Sequence, residues 1–211
     1  MIQLKPSENT KLYGMSNYFK EIANLYLEKK MPNKILLSGK KGMGKATFAY
    51  HIINYVLSQN EDSKYDFDKL TINKDNKSFK LIQNFSHPNF YLIDLIDEKK
   101  NIDVGQIRKM IKYTNKSSFN EIPRFILIDN IENLNKNSVN ALLKIIEEPN
   151  EKMFFILIHN SEKQIIPTLK LLVNYPNKGK NDFYKFNKEL LGKVIDLNDL
   201  IIHNKNNIYN N

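Results

Sequence analysis

Gly39-Lys40-Lys41-Gly42-Met43-Gly44-Lys45-Ala46-Thr47 spaces its glycines and its last lysine as a phosphate-binding loop does. In the pattern G-x-x-x-x-G-K-[ST] the glycines let backbone N–H groups turn toward a β-phosphate, and the lysine reaches the β/γ oxygens. Gly39, Gly42, Met43, Gly44, Lys45, Ala46 and Thr47 are therefore the candidate nucleotide-binding residues. The hydroxyl that ends the pattern and holds Mg²⁺ is replaced by Ala46, and recurs only one residue on, at Thr47. One residue is about 100° round a helix, so Thr47 is expected to face elsewhere.

Hydrolysis asks for more than a cradle. Mg²⁺ needs near-octahedral oxygen coordination, which a loop hydroxyl and an acid on a second strand usually share with the phosphates. Asp129, closing "RFILID", fits that Walker B acid. The next position, where ATPases of this loop class carry a water-activating glutamate, is Asn130, whose amide is no general base near neutral pH. Glu132 lies three residues from Asp129 and needs a local bend to substitute. The expectation is a loop that can hold ATP or ADP, with Mg²⁺ weak or absent, hydrolysis weak or absent, and no catalytic residue. The plainer alternative is a glycine-rich strand-to-helix turn with no ligand.

Such a loop needs a strand before it and a helix after it, and the flanking pattern supplies both. "KILLS" (34–38) is a short buried-strand run, and Phe48, Ile52, Ile53 and Val56 share one helical face behind the glycines. An amphipathic helix over 18–29 comes first. Further strands are expected at 89–96, 124–129 and 153–159. Helices are expected from Asp103, as cap, with Val104, Ile107, Met110 and Ile111 on one face, and around Val139, Leu142, Leu143 and Ile146, closed by Pro149. Residues 58–86 are polar and poorly periodic and read as a surface excursion with one or two short helices. A last helix is expected over about 182–194, before an Asn-rich end. Alternating apolar strands and amphipathic helices indicate an α/β domain with a mostly parallel, covered sheet.

Composition narrows the partners. Hydrophobic residues at 41% of 211 suffice for a core. The longest apolar run, Met153 to Ile158, is far short of the ~20 residues of a membrane span, and the opening "MIQLKPSENTK" has no signal-peptide core; a cytoplasmic protein without membrane association is expected. With no cysteine and four scattered histidines, no zinc or other side-chain metal site is expected. The net charge of +9 suits a nucleic-acid partner. It also suits compositional drift toward Lys, Asn and Ile, since only Arg108 and Arg124 are arginine.

"NALLKIIEEP" (140–149) resembles the "NALLKxLEEP" element of bacterial DNA polymerase III clamp-loader subunits. The longer stretch from "RFILIDNIENLNKNSVNALLKIIEEP" to "IIPTLK" looks like the Walker B to sensor region of the delta-prime family. "PNKILLSGKKGMGKATFAYHI", "SHPNFYLID" and "IDVGQIRKM" look like that family in the same order, over roughly residues 5–170. The resemblance implies an AAA+ type P-loop domain over 1–170, with sensor-like positions at His159 and Asn160. It implies a divergent tail over 171–211 containing part of a helical lid, and no counterpart of the family's C-terminal collar. It also implies a DNA replication role. The chain would help load the sliding clamp onto primed DNA, beside clamp-loader motor subunits and the delta subunit, touching the clamp indirectly and primer–template DNA through the complex.

The pattern departs from that family in one respect. "IIPTLK" is followed by Leu171-Leu172-Val173 and not by an "SRC" element, and no arginine follows Arg124. The family's offered arginine finger therefore has no match. Two alternatives stay open from the sequence: a stand-alone AAA+ ATPase, against which Ala46 and Asn130 speak, and a DNA-binding module using the basic charge, for which no recognised motif is seen.

Overall fold

In the computed structural model of the protein, the described residues are 5–96, 99–115, 122–147, 152–167, 169 and, for backbone alone, 193–196. Five strands form one sheet: β1 (Lys34–Gly39), β2 (Phe90–Ile93), β3 (Arg124–Ile128), β4 (Met153–Asn160) and β5 (Lys193–Asp196). They lie in the order β2-β3-β4-β1-β5, and every neighbouring pair is parallel. The helices are α1 (Ser16–Leu27), α2 (Lys45–Leu57), α3 (Lys77–Gln83), α4 (Val104–Thr114) and α5 (Lys136–Ile146). Two short 3₁₀ turns span Pro6–Glu8 and Ile131–Asn133. The α/β expectation holds.

Parallel strands need helices on both faces, so their sequences are apolar throughout and not alternating. β1 and β3 are buried at every position. The alternate side chains of these strands feed two separate cores. Ile35, Leu37, Phe125, Leu127, Ile156 and Ile158 join one with α1 and α2. Leu36, Ile126, Ile128, Phe155 and Leu157 join the other with α4 and α5. Asp103 caps α4 by accepting from the Gln106 N–H at 3.1 Å, while Gln106 Oε1 accepts from the Asp103 N–H at 3.0 Å. This reciprocal box satisfies two helix-end donors at once.

The polar stretch before β2 is not a surface excursion. Tyr65, Leu70, Ile72, Phe79 and Ile82 enter the core beside α1 and α2. Asn76, fully buried, organises the stretch: its Oδ1 accepts from the Phe79 N–H at 2.7 Å and from Asn54 Nδ2, and its Nδ2 donates to Ser63 O. Helical periodicity missed this because α3 is only 7 residues long. Asn76→Ala is expected to cost about 2 kcal/mol, because it removes a helix cap and orphans buried partners. Urea unfolding of the variant measures it.

β5 corrects the last sequence expectation. Lys193 and Val194, assigned to the end of a helix over 182–194, lie in a strand that pairs with β1 from Ile35 to Ser38. The β-branched pair Val194-Ile195 suits that strand. The rest of the expected helix, and of the tail with its partial lid, falls outside the described residues.

Candidate nucleotide site

The parallel register brings the candidate residues to one edge. In the β1–β4 pairing Ser38 stands beside His159 and Gly39 beside Asn160. Asp129 follows β3 directly, and its N–H donates to Ile93 O at the end of β2. The glycine loop follows β1. All of them sit at the carboxyl end of the sheet, where open α/β folds bind ligands.

The loop has the backbone that its glycines allow. Gly42 and Gly44 adopt φ of 85° and 81°, a left-handed conformation that side-chain-bearing residues avoid. Gly44 is the N-cap of α2, and a Cβ there would lie 3.1 Å from Met15 Cε. Helix α2 thus points its N-terminal N–H groups at the loop. Met43 and Ala46 are half-buried and pack against the α1–α2 core.

Lys45 is folded onto its own loop. Its Nζ donates to Gly39 O at 2.7 Å and to Lys40 O at 2.6 Å. Burial lowers its pKa, opposed by the carboxylates of Asp129, Glu132 and Glu162. Thr47, one position past the expected hydroxyl, accepts a 3.3 Å bond from Asn9 Nδ2 through its Oγ1. Its hydroxyl is thus turned to the N-terminal segment, as one helical step predicts.

The acid side is crowded with carboxylates. Burial raises the Asp129 pKa to about 6, and the Asp94 carboxylate adds to the effect. The 2.7 Å bond from the Asn130 N–H to Asp129 Oδ1 works the other way, Glu132 raises the pKa further, and Lys45 lowers it. Asn130 adopts φ 55°, ψ 46°, and its Nδ2 donates to Asp94 Oδ1 at 2.7 Å. Asparagine tolerates this left-handed conformation better than most side chains do. The amide at the position of the activating glutamate is therefore both committed to Asp94 and suited to its backbone. Asn130→Gly should keep the fold within about 1 kcal/mol, while Asn130→Val should cost about 2 kcal/mol. Thermal unfolding of both variants distinguishes backbone strain from loss of the amide bond.

Glu132 does find the bend it needs, in the 3₁₀ turn, but it serves another purpose. Its carboxylate is 2% exposed, accepts from the Asn160 N–H at 3.2 Å through Oε2, and lies 3.7 Å from Lys163 Nζ through Oε1. His159 is buried between strand and turn. Its Nε2 faces Lys163 O at 3.0 Å and so carries the proton, leaving Nδ1 to accept from the Ser38 hydroxyl at 3.1 Å. Asn160 Oδ1 accepts from the Glu162 N–H. The two sensor-like residues thus fix the turn after β4 against the loop strand.

Asp94, Ser38 and Lys163 belong to this site and were not singled out in the sequence. Asp94 had a signal: it closes "FYLID" as Asp129 closes "FILID". Ser38 and Lys163 had none. Among the described residues no cluster of His, Asp and Glu could hold a metal ion. The glycine loop, with Ala46 where the pattern has a hydroxyl, lies at the same end of the sheet as the buried acid Asp129.

A parallel sheet in the order β2-β3-β4-β1-β5, with a glycine loop after β1 and an acid after β3, defines an AAA+ type P-loop domain. A solved DNA polymerase III gamma subunit-related protein from Thermotoga maritima has this fold. It covers 78% of the chain and 48% of its own length, at TM-score 0.52 and 18% identity. The chain belongs to the family described as DNA polymerase III, delta subunit, whose sequence pattern matches residues 14–171. DNA polymerase III subunit delta' of Buchnera aphidicola subsp. Schizaphis graminum is 31% identical over 72% of the chain and 44% of its own length. DNA polymerase III subunit gamma of the same organism is 29% identical over 90% of the chain and 50% of its own length. The chain spans less than half the length of the delta' relative. Among the described residues no helix is long and apolar enough to cross a membrane.

Proposed function

We propose that the chain acts as a delta-prime type subunit of a DNA polymerase III clamp-loader complex, in the cytoplasm, working by contact with its neighbours and not by its own ATP turnover. The partners in this reading are the motor subunits and the delta subunit, with the sliding clamp and primer–template DNA engaged through the complex. Family membership supports the assembly; the site supports the division of labour. The observation that carries it is Asn130, held to Asp94 at the position where a base must activate water. The glycine loop and Lys45 keep a shape that can receive ATP or ADP, while Ala46 offers no oxygen to Mg²⁺.

The test is co-purification with the motor and delta subunits of the same source, together with nucleotide binding and turnover by the purified chain. Expected are a stable complex and negligible turnover. Binding of a fluorescent ADP analogue should weaken about tenfold to a hundredfold in Lys45→Ala, the range of one charge-assisted bond. Robust hydrolysis abolished by Lys45→Ala, or failure to associate, would overturn the reading.

A further inference from the structure

Among the described residues no strand pairs with the outer edge of the sheet at β2, and the strand itself carries neither charge nor proline. β3 takes the inward backbone groups of this segment: Phe125 N–H donates to Asn89 O and Asp129 N–H to Ile93 O. By strand alternation the N–H and C=O of Leu92 point away from the sheet. Natural edges are normally blunted by charge, proline or a bulge. The other edge, β5, reads Lys-Val-Ile-Asp and carries a charge at each end, whereas β2 reads Phe-Tyr-Leu-Ile and carries none.

Beside β2 runs a groove of about 420 Å³ lined by Phe85, Leu92, Leu95, Ile96, Gln106 and Lys109, among others. Phe85 before the strand is 65% exposed and Ile96 after it 44% exposed, so an apolar side chain stands at each end. Phe85 also holds a left-handed φ of 51°. Gln106 Nε2 covers the next outward carbonyl, Asp94 O, at 2.8 Å, and His87 O takes the outward Phe90 N–H at 3.2 Å. Among the described residues Leu92 is therefore the outward position of the strand with neither backbone group engaged.

The charges select the occupant. The groove's carboxylate, Asp94, is engaged by Asn130 Nδ2 and by the Leu95 N–H. Its cation, Lys109, is exposed on α4 and has no carboxylate within ion-pair distance among the described residues. The chain as a whole carries +9. An incoming strand with apolar side chains and at least one carboxylate matches both the ends and the wall of the groove.

We propose that the outer edge of β2 and its groove are a docking surface for an extended, acidic segment of a partner protein, which adds to the sheet as a sixth strand. Main-chain bonds at Leu92 give the affinity, Phe85 and Ile96 the apolar anchors, and Lys109 the preference for acidic sequence.

A synthetic nine-residue peptide of alternating Val and Thr with two Glu tests this on the full chain. Titration by fluorescence anisotropy should show saturable binding, and hydrogen exchange should show new protection at the Leu92 amide. N-methylation of alternate peptide residues should weaken binding at least about tenfold, since it removes strand bonds. Lys109→Glu should weaken it about fivefold, and Phe85→Ser comparably; both changes are exposed and leave the core intact. Absence of binding at millimolar peptide, equal binding of the N-methylated peptide, or an equally strong lysine-substituted peptide would overturn the proposal. So would protection of Leu92 that depends on protein concentration alone, which would assign the edge to a second copy of the chain.

Discussion

The free chain should lose stability as the pH falls from about 7 to about 4, and His51 should be the largest single cause. His51 is buried with Nε2 facing Asn9 O at 3.1 Å and Nδ1 facing Tyr65 Oη at 2.8 Å. The carbonyl can only accept, so Nε2 carries the proton and Nδ1 accepts from the tyrosine. This neutral tautomer uses both nitrogens. Burial pushes the pKa from 6.5 to about 4, against a smaller upward pull from the Asn9 carbonyl. The unfolded chain therefore takes up a proton below about 6.5 that the folded chain refuses until about 4, and stability falls across that window. The shift corresponds to about 3 kcal/mol. His87, also pushed down to about 4 mainly by burial, adds a smaller loss in the same direction once its partial exposure is allowed for. Asp129 opposes both between about 6 and 4, but two histidines outweigh one acid. Urea unfolding over that range should show a net fall. His51→Gln should remove the net fall, since the smaller His87 loss is then offset by Asp129, and an unchanged slope would refute the assignment.

Asp129→Asn should make the chain more stable at pH 8, by about 3 kcal/mol. The folded carboxyl titrates at about 6 and the unfolded one at 3.8. The folded state therefore holds its proton more tightly, and that advantage is fully present below about 4 and lost as the pH rises through 6. At pH 8 the buried carboxylate, facing Asp94 and Glu132, is a liability that a neutral amide removes. Asparagine Oδ1 can still accept from the Asn130 N–H, and its Nδ2 gains acidic neighbours as acceptors. The gain should shrink as the pH falls through 6 and vanish near 4. A stability gain independent of pH would show that shape, not charge, is being changed. Such a response would set Asp129 apart as a residue kept at the expense of stability, which is the usual mark of a functional acid.

Much of this site could be read from the chain because phosphate loops have rigid local demands. The strand at 34–38 follows from a short unbroken apolar run, Phe48, Ile52, Ile53 and Val56 behind the loop from a period of 3.6, and the loop itself from glycine's conformational range. β3 and β4 are equally legible, being unbroken apolar runs. What stayed hidden depends on partners far along the chain. Asn76 is an ordinary polar residue until Asn54 and Ser63 are placed around it. Ser38 acquires its role only when the register sets it beside His159. The turn that turns Glu132 toward Lys163 rests on the left-handed Asn130, a conformation the sequence allows but does not announce. β5 was misread because four residues in a weakly patterned tail carry too little periodicity to tell helix from strand.

The sheet order has a consequence for how the chain is made. β1 emerges early, yet its β4 neighbour lies far along the chain: Ser38 meets His159 across 121 residues. During synthesis "KILLSG" therefore has neither flanking strand, and both its edges stay open until β4 and then β5 have left the ribosome. Contacts of such long range slow folding and leave apolar strands uncovered meanwhile. A nascent chain halted before Met153 should accordingly be held by chaperones at β1, and released once the fourth strand is complete.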